Sequence, residues 1–278
     1  QDSIPAFDGK RAKEIVDEEL KKTGKRLNYF KKTPLASASI AQVHEAILSN
    51  GKKCVIKVQR EDAKPRFDKD IDILKHMAKI LEKNKSIEWI KPYEIVEEFE
   101  KYTNKEFDFL KEAKNIEKFH DNFKDDPDIK IPKVYDDYTT DKILTMEYLP
   151  GTKIKKFTQV KTNIKKRRNI TKKLTGIIFK QIFELGLFHA DPHPGNIVIM
   201  RDSSIGLLDF GIVGYIDEEM KKDLTNIFVA IISGESLKLA DALINMDVVK
   251  DTEIDRRAVS RDVSDMLVKY YDRGIRKM

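Results

Sequence analysis

The sequence is poor in cysteine, glycine and proline. Cys54 is the only cysteine among 278 residues, and there are 12 glycines and 9 prolines. A single thiol cannot form an internal disulfide and has no second thiol with which to share a structural zinc ion, which is typical of proteins from a reducing compartment. No low-complexity stretch is present, and apolar residues make up 40% of the chain. The composition therefore indicates a globular protein and excludes a disordered one.

Long apolar runs are also missing. No uninterrupted stretch reaches the roughly 20 apolar residues that a membrane-spanning helix needs, and no secretory leader is recognisable. We therefore expect an intracellular protein that is cytoplasmic or peripheral on the cytoplasmic face of a membrane. Because the chain begins at Gln1 without a methionine, we expect it to be an excerpt of a longer protein whose other parts could carry membrane segments.

Acidic residues are absent from one part of the chain, Lys153–Lys173, which we call the basic segment. It contains ten Lys or Arg residues, whereas the whole chain balances 53 basic against 47 acidic residues for a net charge of +6. Such a segment is either a solvated surface or a contact for anionic lipid head groups. No nucleic-acid-binding motif or aromatic interleaving accompanies it, so no nucleic-acid partner is expected.

Hydrophobic periodicity predicts the elements of the first half of the chain. The dipeptide Asn50-Gly51 favours a tight turn between two strands. In the second strand, side chains alternate between two faces, so Lys57 points away from the face formed by Cys54, Ile56 and Val58. We predict a first helix over Lys10–Leu20 and the two strands of the hairpin over Gln42–Leu48 and Lys52–Gln59. A second helix is predicted over Ile71–Leu81 and a longer third helix over Ile95–Ile116.

The second half begins with a break at Pro150-Gly151, where we place a boundary between two lobes. Before it, Lys133–Tyr138 and Lys142–Tyr148 predict a strand pair. After it come a helix that ends at Gly186, short strands at Ile197–Met200 and Ile205–Leu208, and a helix that Asp217 caps and Gly234 ends. The remainder reads as helical. The sequence thus predicts an α+β fold in which strands dominate the first half and helices the second, with lobes at 1–148 and 149–278.

The sharpest local signal is the loop His189-Ala-Asp191-Pro-His-Pro-Gly-Asn196, followed by Asp209-Phe210-Gly211. Phosphoryl transfer needs a carboxylate that orients or deprotonates the acceptor, together with an Asn and a second Asp that hold magnesium across the phosphates. The spacing assigns these roles to Asp191, Asn196 and Asp209.

Two further elements complete this chemistry. Phosphoryl transfer of the kinase type uses a strand lysine that neutralises the nucleotide phosphates and a helical glutamate that holds the lysine. Lys57, in Val55-Ile56-Lys57-Val58, is the candidate lysine, and Glu112 is the candidate glutamate. The stretch that contains Met146, Glu147 and Tyr148 then lies where a hinge would offer backbone groups to adenine.

Each motif also has a simpler interpretation. A strand lysine is usually solvent-facing, and the Asp191 loop could be a polar turn with a capping aspartate. His189, Asp191 and His193 have the types of side chain that bind zinc or iron. The order of all five elements along the chain favours the phosphotransfer hypothesis over these alternatives.

The motifs resemble those of a known family. Pro34-Leu-Ala-Ser-Ala-Ser-Ile-Ala-Gln-Val-His-Glu-Ala46 resembles the alanine-rich loop of the UbiB/AarF (ADCK-type) atypical kinases, which replaces the glycine-rich loop of ordinary protein kinases. Cys54-Val-Ile-Lys-Val-Gln-Arg60, Glu106-Phe-Asp108 with Glu112, the Asp191 loop, and Leu207-Leu-Asp-Phe-Gly-Ile-Val-Gly-Tyr215 are similar to the family's other motifs. The resemblance covers about residues 1 to 250.

The resemblance implies a two-lobed protein-kinase-like fold with a β-rich N-lobe, which carries family-specific helices, and an α-rich C-lobe. It also implies ATP or ADP and Mg2+ as cofactors. Asp191 would be the catalytic carboxylate, Asn196 and Asp209 would hold Mg2+, and Lys57 would bind phosphates and pair with Glu112. The loop Ala36, Ser37, Ala38 and Ser39 would cover the nucleotide, and Ser37 departs from the family's usual three alanines. A serine hydroxyl can donate a hydrogen bond to phosphate.

Glu106 and Asp108 match a regulatory element that in the family engages a Lys-x-Gly-Gln motif of an N-terminal extension. That motif is missing from this sequence, and Gln1–Phe7 resembles the stretch that follows it. The family is associated with coenzyme Q and other isoprenoid-lipid metabolism and with membrane-responsive ATP hydrolysis. The resemblance therefore implies a Mg2+-dependent ATPase or kinase whose partners are an anionic membrane surface, an isoprenoid lipid or quinone-pathway proteins. A nucleotide-binding scaffold and a conventional protein or small-molecule kinase are the alternatives.

Overall fold

The computed structural model describes residues 5–83, 91–159, 163–246 and 256–271. The helices are α1 (Gly9–Lys22), α2 (Ala63–Leu81), α3 (Pro92–Glu106), α4 (Phe109–Phe123), α5 (Ile154–Gln159), α6 (Ile164–Phe179), α7 (Glu218–Ser233), α8 (Ser236–Asn245) and α9 (Arg256–Tyr271). The strands are β1 (Leu27–Phe30), β2 (Ala36–Ser37), β3 (Ala41–Leu48), β4 (Lys53–Gln59), β5 (Ile129–Lys130), β6 (Ile143–Glu147), β7 (Gly151–Lys153), β8 (Leu187–His189), β9 (Ile197–Met200), β10 (Ile205–Leu207) and β11 (Val213–Tyr215).

The largest sheet has the strand order β1-β3-β4-β6, and the short strand β2 pairs with β3. The predicted hairpin is confirmed as β3 and β4, which run antiparallel. Its turn uses Gly51 at φ 82°, a left-handed conformation that glycine adopts without steric cost. Cys54, Ile56 and Val58 are fully buried in a core that includes the apolar face of α1. The alternation predicted for β4 is therefore present.

A second sheet has the order β5-β10-β9-β7, and a two-stranded sheet pairs β8 with β11. The predicted strands at Ile197–Met200 and Ile205–Leu208 are confirmed as β9 and β10. β9 and β10 are antiparallel, with Ile205 opposite Ile199. The first two strand residues of β10 pair in parallel with the short strand β5.

The predicted ends of two helices are confirmed. The helical stretch that begins with α6 continues as a π-helix over Lys180–Leu185 and ends at Gly186, whose φ is 62°. The Asp217 carboxylate accepts a hydrogen bond from the Met220 N–H and so caps α7, which ends at the left-handed Gly234. Both glycines relieve the strain of a left-handed C-terminal cap.

Three predictions were wrong in detail. The single helix expected over Ile95–Ile116 is divided into α3 and α4, because Asp108 accepts a hydrogen bond from the Lys111 N–H and starts a new helix. Only the second member of the strand pair expected at Lys133–Tyr138 and Lys142–Tyr148 exists, as β6. The first makes a single antiparallel bridge through Val134 and then turns into a 3-10 helix over Asp136–Tyr138. Helices α1 to α4 also fill much of the half that was expected to be dominated by strands.

The chain separates into two compact units. One consists of Gln1–Ile177 and His189–Val213, and the other of Ile178–Phe188 and Gly214–Met278. The predicted lobe boundary between residues 148 and 149 stays a prediction. Across the residues described, none of the helices is long and apolar enough to cross a bilayer.

Candidate active site

Lys57 lies near the centre of the largest sheet. The register places Ala36 of β2 beside Val43 of β3, Val43 beside Lys57 of β4, and Lys57 beside Leu144 of β6. The lysine therefore shares a row of the sheet with Ala36, the first residue of the alanine-rich loop, by which we mean residues 36–41. Its side chain is only 9% exposed, so the interpretation as a solvent-facing strand lysine does not hold.

The Lys57 ammonium is held by two carboxylates. Its Nζ lies 2.9 Å and 3.1 Å from the two carboxylate oxygens of Glu112 and 3.3 Å from Oδ2 of Asp209. Burial disfavours the charged ammonium, but the charges of Asp209 and Glu112 outweigh burial and raise the pKa of Lys57. Burial, assisted by the charge of Asp209 and opposed by Lys57, raises the pKa of Glu112 to about 7. The structure thus brings together three residues that are far apart in the sequence.

Helix α4 positions Asp209 through the next residue, Phe210. Glu112 accepts a hydrogen bond from the Phe210 N–H at 3.3 Å, and Asn115 donates from Nδ2 to the Phe210 carbonyl at 2.9 Å. The Phe210 ring is fully buried and packs against Phe119 and His189, at centroid distances of 4.8 Å and 5.0 Å. Both backbone groups and the side chain of Phe210 are therefore fixed, which holds Asp209 beside Lys57.

Asp209 itself adopts a left-handed backbone conformation with φ 57°. This conformation is uncommon for a residue with a Cβ and is found where the surroundings stabilise it. The Gly211 N–H donates to Oδ1 at 3.3 Å. Burial would raise the carboxyl pKa, but Lys57 and this N–H lower the pKa of Asp209. With 46% of its side chain exposed, the carboxylate has lone pairs available to a ligand.

The loop after β8 is ordered by its own polar groups. The Asp191 N–H donates to Nδ1 of His189 at 3.1 Å, so the ring hydrogen lies on Nε2, which donates to the Leu208 carbonyl at 3.0 Å. Asn196 donates from Nδ2 to the carbonyl and to Oδ2 of Asp191, at 3.2 Å and 3.3 Å. The Leu208 N–H donates to the Asn196 carbonyl at 2.8 Å, which links this loop to the segment that ends in Asp209.

The free donor atoms of this loop suit a hard cation better than zinc or iron. Asn196 uses its amide nitrogen within the protein, which leaves Oδ1 as a ligand, and Asp209 adds carboxylate oxygens; Mg2+ prefers such oxygen ligands and takes the rest from phosphates and water. Both ring nitrogens of His189 are engaged with backbone groups. In the part of the chain that the structure describes, no group of three or more His, Cys, Asp or Glu side chains forms a metal site by itself, whereas Mg2+ completes its coordination with phosphates and water. The residues therefore fit Mg2+ bound together with a nucleotide.

The alanine-rich loop is the end of a β-hairpin. Ser37 lies opposite Gln42, and the Ala38 N–H donates to the Ala41 carbonyl at 2.8 Å, which places Ser39 at the exposed tip. The Ser37 hydroxyl accepts a hydrogen bond from Arg60 at 2.8 Å. The residue that departs from the family pattern is therefore bound by a protein side chain.

The proposed hinge residues are the end of β6 and the positions after it. Met146 is buried and pairs with Val55, and Glu147 pairs with Cys54. The Glu147 N–H donates to the Lys133 carbonyl at 2.8 Å, so this donor is already used within the protein. Tyr148 follows with its ring 5.0 Å from Nζ of Lys53.

Glu106 and Asp108 flank the break between α3 and α4. Asp108 caps α4, whereas Glu106 lies close enough to the site that burial and the charges of Asp209 and Asp191 raise its pKa. Tyr102, one turn earlier on α3, has its pKa raised by burial and by Asp191 and Glu106. The structure therefore brings Glu106 into the electrostatic field of the site.

Comparison with known proteins decides the family. Residues 1–243 match the family model described as the ABC1 atypical kinase-like domain. The chain belongs to this family. The chain is 36% identical over 267 residues, or 95% of its length, to a chloroplastic Arabidopsis thaliana protein named ACTIVITY OF BC1 COMPLEX KINASE 7. It is 34% identical over 272 residues, or 94% of its length, to the Vibrio cholerae protein named Probable protein kinase UbiB.

The chain spans 38% of the Arabidopsis relative and 49% of the Vibrio relative. A solved structure of Rv3197 from Mycobacterium tuberculosis, in complex with erythromycin, superposes with a TM-score of 0.75 and 24% identity. The match covers 96% of the chain described here and 67% of the Rv3197 chain. This likeness shows the fold. The α+β, two-lobed kinase-like fold predicted from the sequence is confirmed, and so is the resemblance to the UbiB family.

Two residues that shape the site were not predicted. Asn115 lies one helical turn after Glu112 on the same face of α4 and holds the Phe210 carbonyl; a buried polar residue at that spacing was a readable signal. Arg60 binds the alanine-rich loop, but its partners are 22 and 23 residues away in sequence. No local pattern indicates such contacts.

Proposed function

We propose that this ABC1 domain binds a Mg2+-nucleotide complex and catalyses ATP hydrolysis or transfer of the terminal phosphoryl group. The observation that carries the proposal is the buried contact of Lys57 with Glu112 and Asp209, at 2.9 Å and 3.3 Å. Burying a lysine with two carboxylates costs desolvation energy. A nucleotide site explains the arrangement, because it needs a fixed cation for phosphates beside a carboxylate for the metal.

The remaining roles follow from placement. Asp191 has 42% of its side chain exposed, so it is accessible to an acceptor hydroxyl or water, which its carboxylate would orient and deprotonate. Asn196 orients Asp191 through its amide nitrogen and would hold Mg2+ with Asp209 through oxygen atoms. When bound, Mg2+ neutralises charge on the phosphates. Ala36, Ser37, Ala38 and Ser39 would cover the phosphates, and Met146, Glu147 and Tyr148 would border the adenine.

A role in ubiquinone or other isoprenoid-lipid biosynthesis is the finer part of the proposal. It is supported by the 34% identity to the relative named UbiB and by the motifs shared with that family. Glu106 would then be a regulatory residue, because burial and the charges of Asp209 and Asp191 raise the pKa of its carboxyl. Asp108 would act beside it by fixing the start of α4.

The test is steady-state phosphate release from ATP in the presence of Mg2+, compared with phosphate transfer to added protein and lipid acceptors. We expect release or transfer that chelation of Mg2+ by EDTA abolishes. Nucleotide binding without turnover above background would refute the enzyme proposal and favour a ligand-controlled scaffold. Transfer to a protein acceptor without free phosphate would instead indicate a conventional kinase.

The basic segment would bring the domain to an anionic membrane. In the structure it covers α5 and the first half of α6, and most of its basic side chains are exposed; Lys173, in contrast, is paired with Asp128 at 2.7 Å. Lys161 lies outside the described residues. Each basic residue near an anionic surface contributes about 1 kcal/mol of attraction, which salt screens.

We therefore predict that replacing Lys165, Lys166 and Arg168 together by Ala weakens binding to phosphatidylserine vesicles by about 100-fold, since three such contacts amount to about 3 kcal/mol. Co-sedimentation at two salt concentrations measures this effect. A control variant that replaces the exposed Lys10, Lys21 and Lys52 removes the same charge elsewhere and should bind almost normally. Equal loss in both variants would show that only net charge matters and would contradict a role for the segment.

A further inference from the structure

Arg60 follows the strand that carries Lys57 and connects three parts of the chain. Its N–H donates to the Ile40 carbonyl at 2.8 Å, and its guanidinium donates to the Ala38 carbonyl at 3.0 Å and to the Ser37 hydroxyl at 2.8 Å. One residue thus makes three hydrogen bonds to the alanine-rich loop.

The same guanidinium also holds the segment Pro5–Phe7, which we call the leading segment. Nη2 donates to the Pro5 carbonyl at 2.6 Å, and the guanidinium carbon lies 5.4 Å from the centroid of the Phe7 ring. Gln42, the register partner of Ser37, donates to the Phe7 carbonyl at 3.4 Å. The leading segment and the loop are therefore attached to the same side chain and to the same pair of strands.

The geometry requires an arginine. The planar guanidinium presents several N–H donors in fixed directions, whereas a lysine ammonium is a single point of charge. Arg60 is half-buried, and its donors are directed at protein oxygens of the loop and the leading segment. Its contacts are thus those of a residue that fixes the loop.

We propose that Arg60 is a positioning residue that sets the conformation of the alanine-rich loop and couples it to the leading segment. Ser37 is part of this device, because its hydroxyl gives Arg60 a side-chain contact that alanine at this position lacks. Nucleotide affinity then depends on whether the leading segment is docked. The effect on affinity rests on the proposed nucleotide function, whereas the effect on the loop does not.

The experiment compares Arg60→Met, Arg60→Lys and Ser37→Ala with wild type. Because Arg60→Met loses both side-chain hydrogen bonds to the loop and Arg60→Lys cannot reproduce their fixed geometry, we expect both to weaken binding of a fluorescent ATP analogue by roughly five- to tenfold. The effect of Ser37→Ala should be smaller, roughly two- to threefold. In the two Arg60 variants, turnover at saturating ATP should change by less than about twofold, since Arg60 touches none of the reacting groups. Arg11→Met is the matched control, because Arg11 binds Glu61, the neighbour of Arg60, without touching the loop.

Hydrogen exchange measured without nucleotide provides an independent readout. Arg60→Met and Arg60→Lys should accelerate exchange of amides in the loop 36–41 and in residues 5–8, and Arg11→Met should not accelerate it in the loop. Normal affinity and exchange in Arg60→Lys would show that charge alone matters and would overturn the positioning role. Equal acceleration of the loop in Arg11→Met would also overturn it. If wild type binds no nucleotide, the proposed function fails, and exchange alone still decides the role of Arg60.

Discussion

Replacing Asp191 by Asn is expected to lower the turnover number for ATP by roughly 10²- to 10⁴-fold, the usual contribution of a positioned general base. Asn has the size and shape of Asp but cannot accept a proton. The backbone contacts of position 191 with His189 and Asn196 should persist, because they do not involve the replaced carboxylate. We therefore expect nucleotide affinity to stay within about twofold of wild type.

Phosphate release and fluorescent-nucleotide titration on the same preparation separate these two effects. Asp62→Asn is the matched control, since Asp62 pairs with Arg66 on the surface and its side chain is 55% exposed. Unchanged turnover in Asp191→Asn would remove Asp191 from the mechanism. A parallel loss of binding would instead show that Asp191 organises the nucleotide site and has no separate role in the chemical step.

Replacing Lys57 by Met should abolish nucleotide-dependent turnover and also destabilise the fold. It leaves Glu112, which is 1% exposed, buried without its cation, and breaking a buried pair in this way costs about 3–5 kcal/mol.

This loss of stability should depend on pH. In wild type, burial already raises the pKa of Glu112 to about 7, and loss of Lys57 raises it further. With its pKa raised, the Glu112 carboxyl binds a proton more readily in the folded state than in the unfolded state. The loss of stability is therefore full above the pKa of the folded state and shrinks as pH falls towards the pKa of the unfolded state.

Urea unfolding followed by circular dichroism at pH 8.5 and pH 5.5 measures this dependence. Lys53→Met is the control, because Lys53 lies on the same strand and pairs with Glu45 at 2.8 Å but is 55% exposed. Exposed pairs contribute about 0–1 kcal/mol, so this variant should lose little stability at either pH. A loss in Lys57→Met that is the same at both pH values would contradict the buried, titrating Glu112 as its cause.

The sequence predicts those candidate site residues that lie close to one another along the chain. Asp191 and Asn196 lie on one loop, and Asp209 follows a short strand, so motif spacing alone predicts which side chains could act together. Lys57 was found because its strand alternates strictly and follows a turn signal. Whether these residues carry the proposed roles stays a prediction that the variants above test.

The remaining features depend on interactions that spacing does not encode. The apolar pattern of Phe99, Tyr102, Phe109 and Ala113 continues across the break at Asp108, so periodicity joined two helices that a capping carboxylate separates. The strand expected at Lys133–Tyr138 does not form, because the chain enters a 3-10 helix at Asp136 and Asp137. The contacts of Arg60 span up to 55 residues, and only the folded chain brings these partners together.

The buried Cys54 makes this domain convenient for thiol chemistry. Burial raises the pKa of its thiol to about 12, so the thiol stays protonated and unreactive at neutral pH. Alkylating reagents should therefore leave the native chain unmodified. A cysteine introduced at exposed Ser39 could then be labelled selectively, and a fluorophore attached there would report loop movement without any further substitution in the sequence.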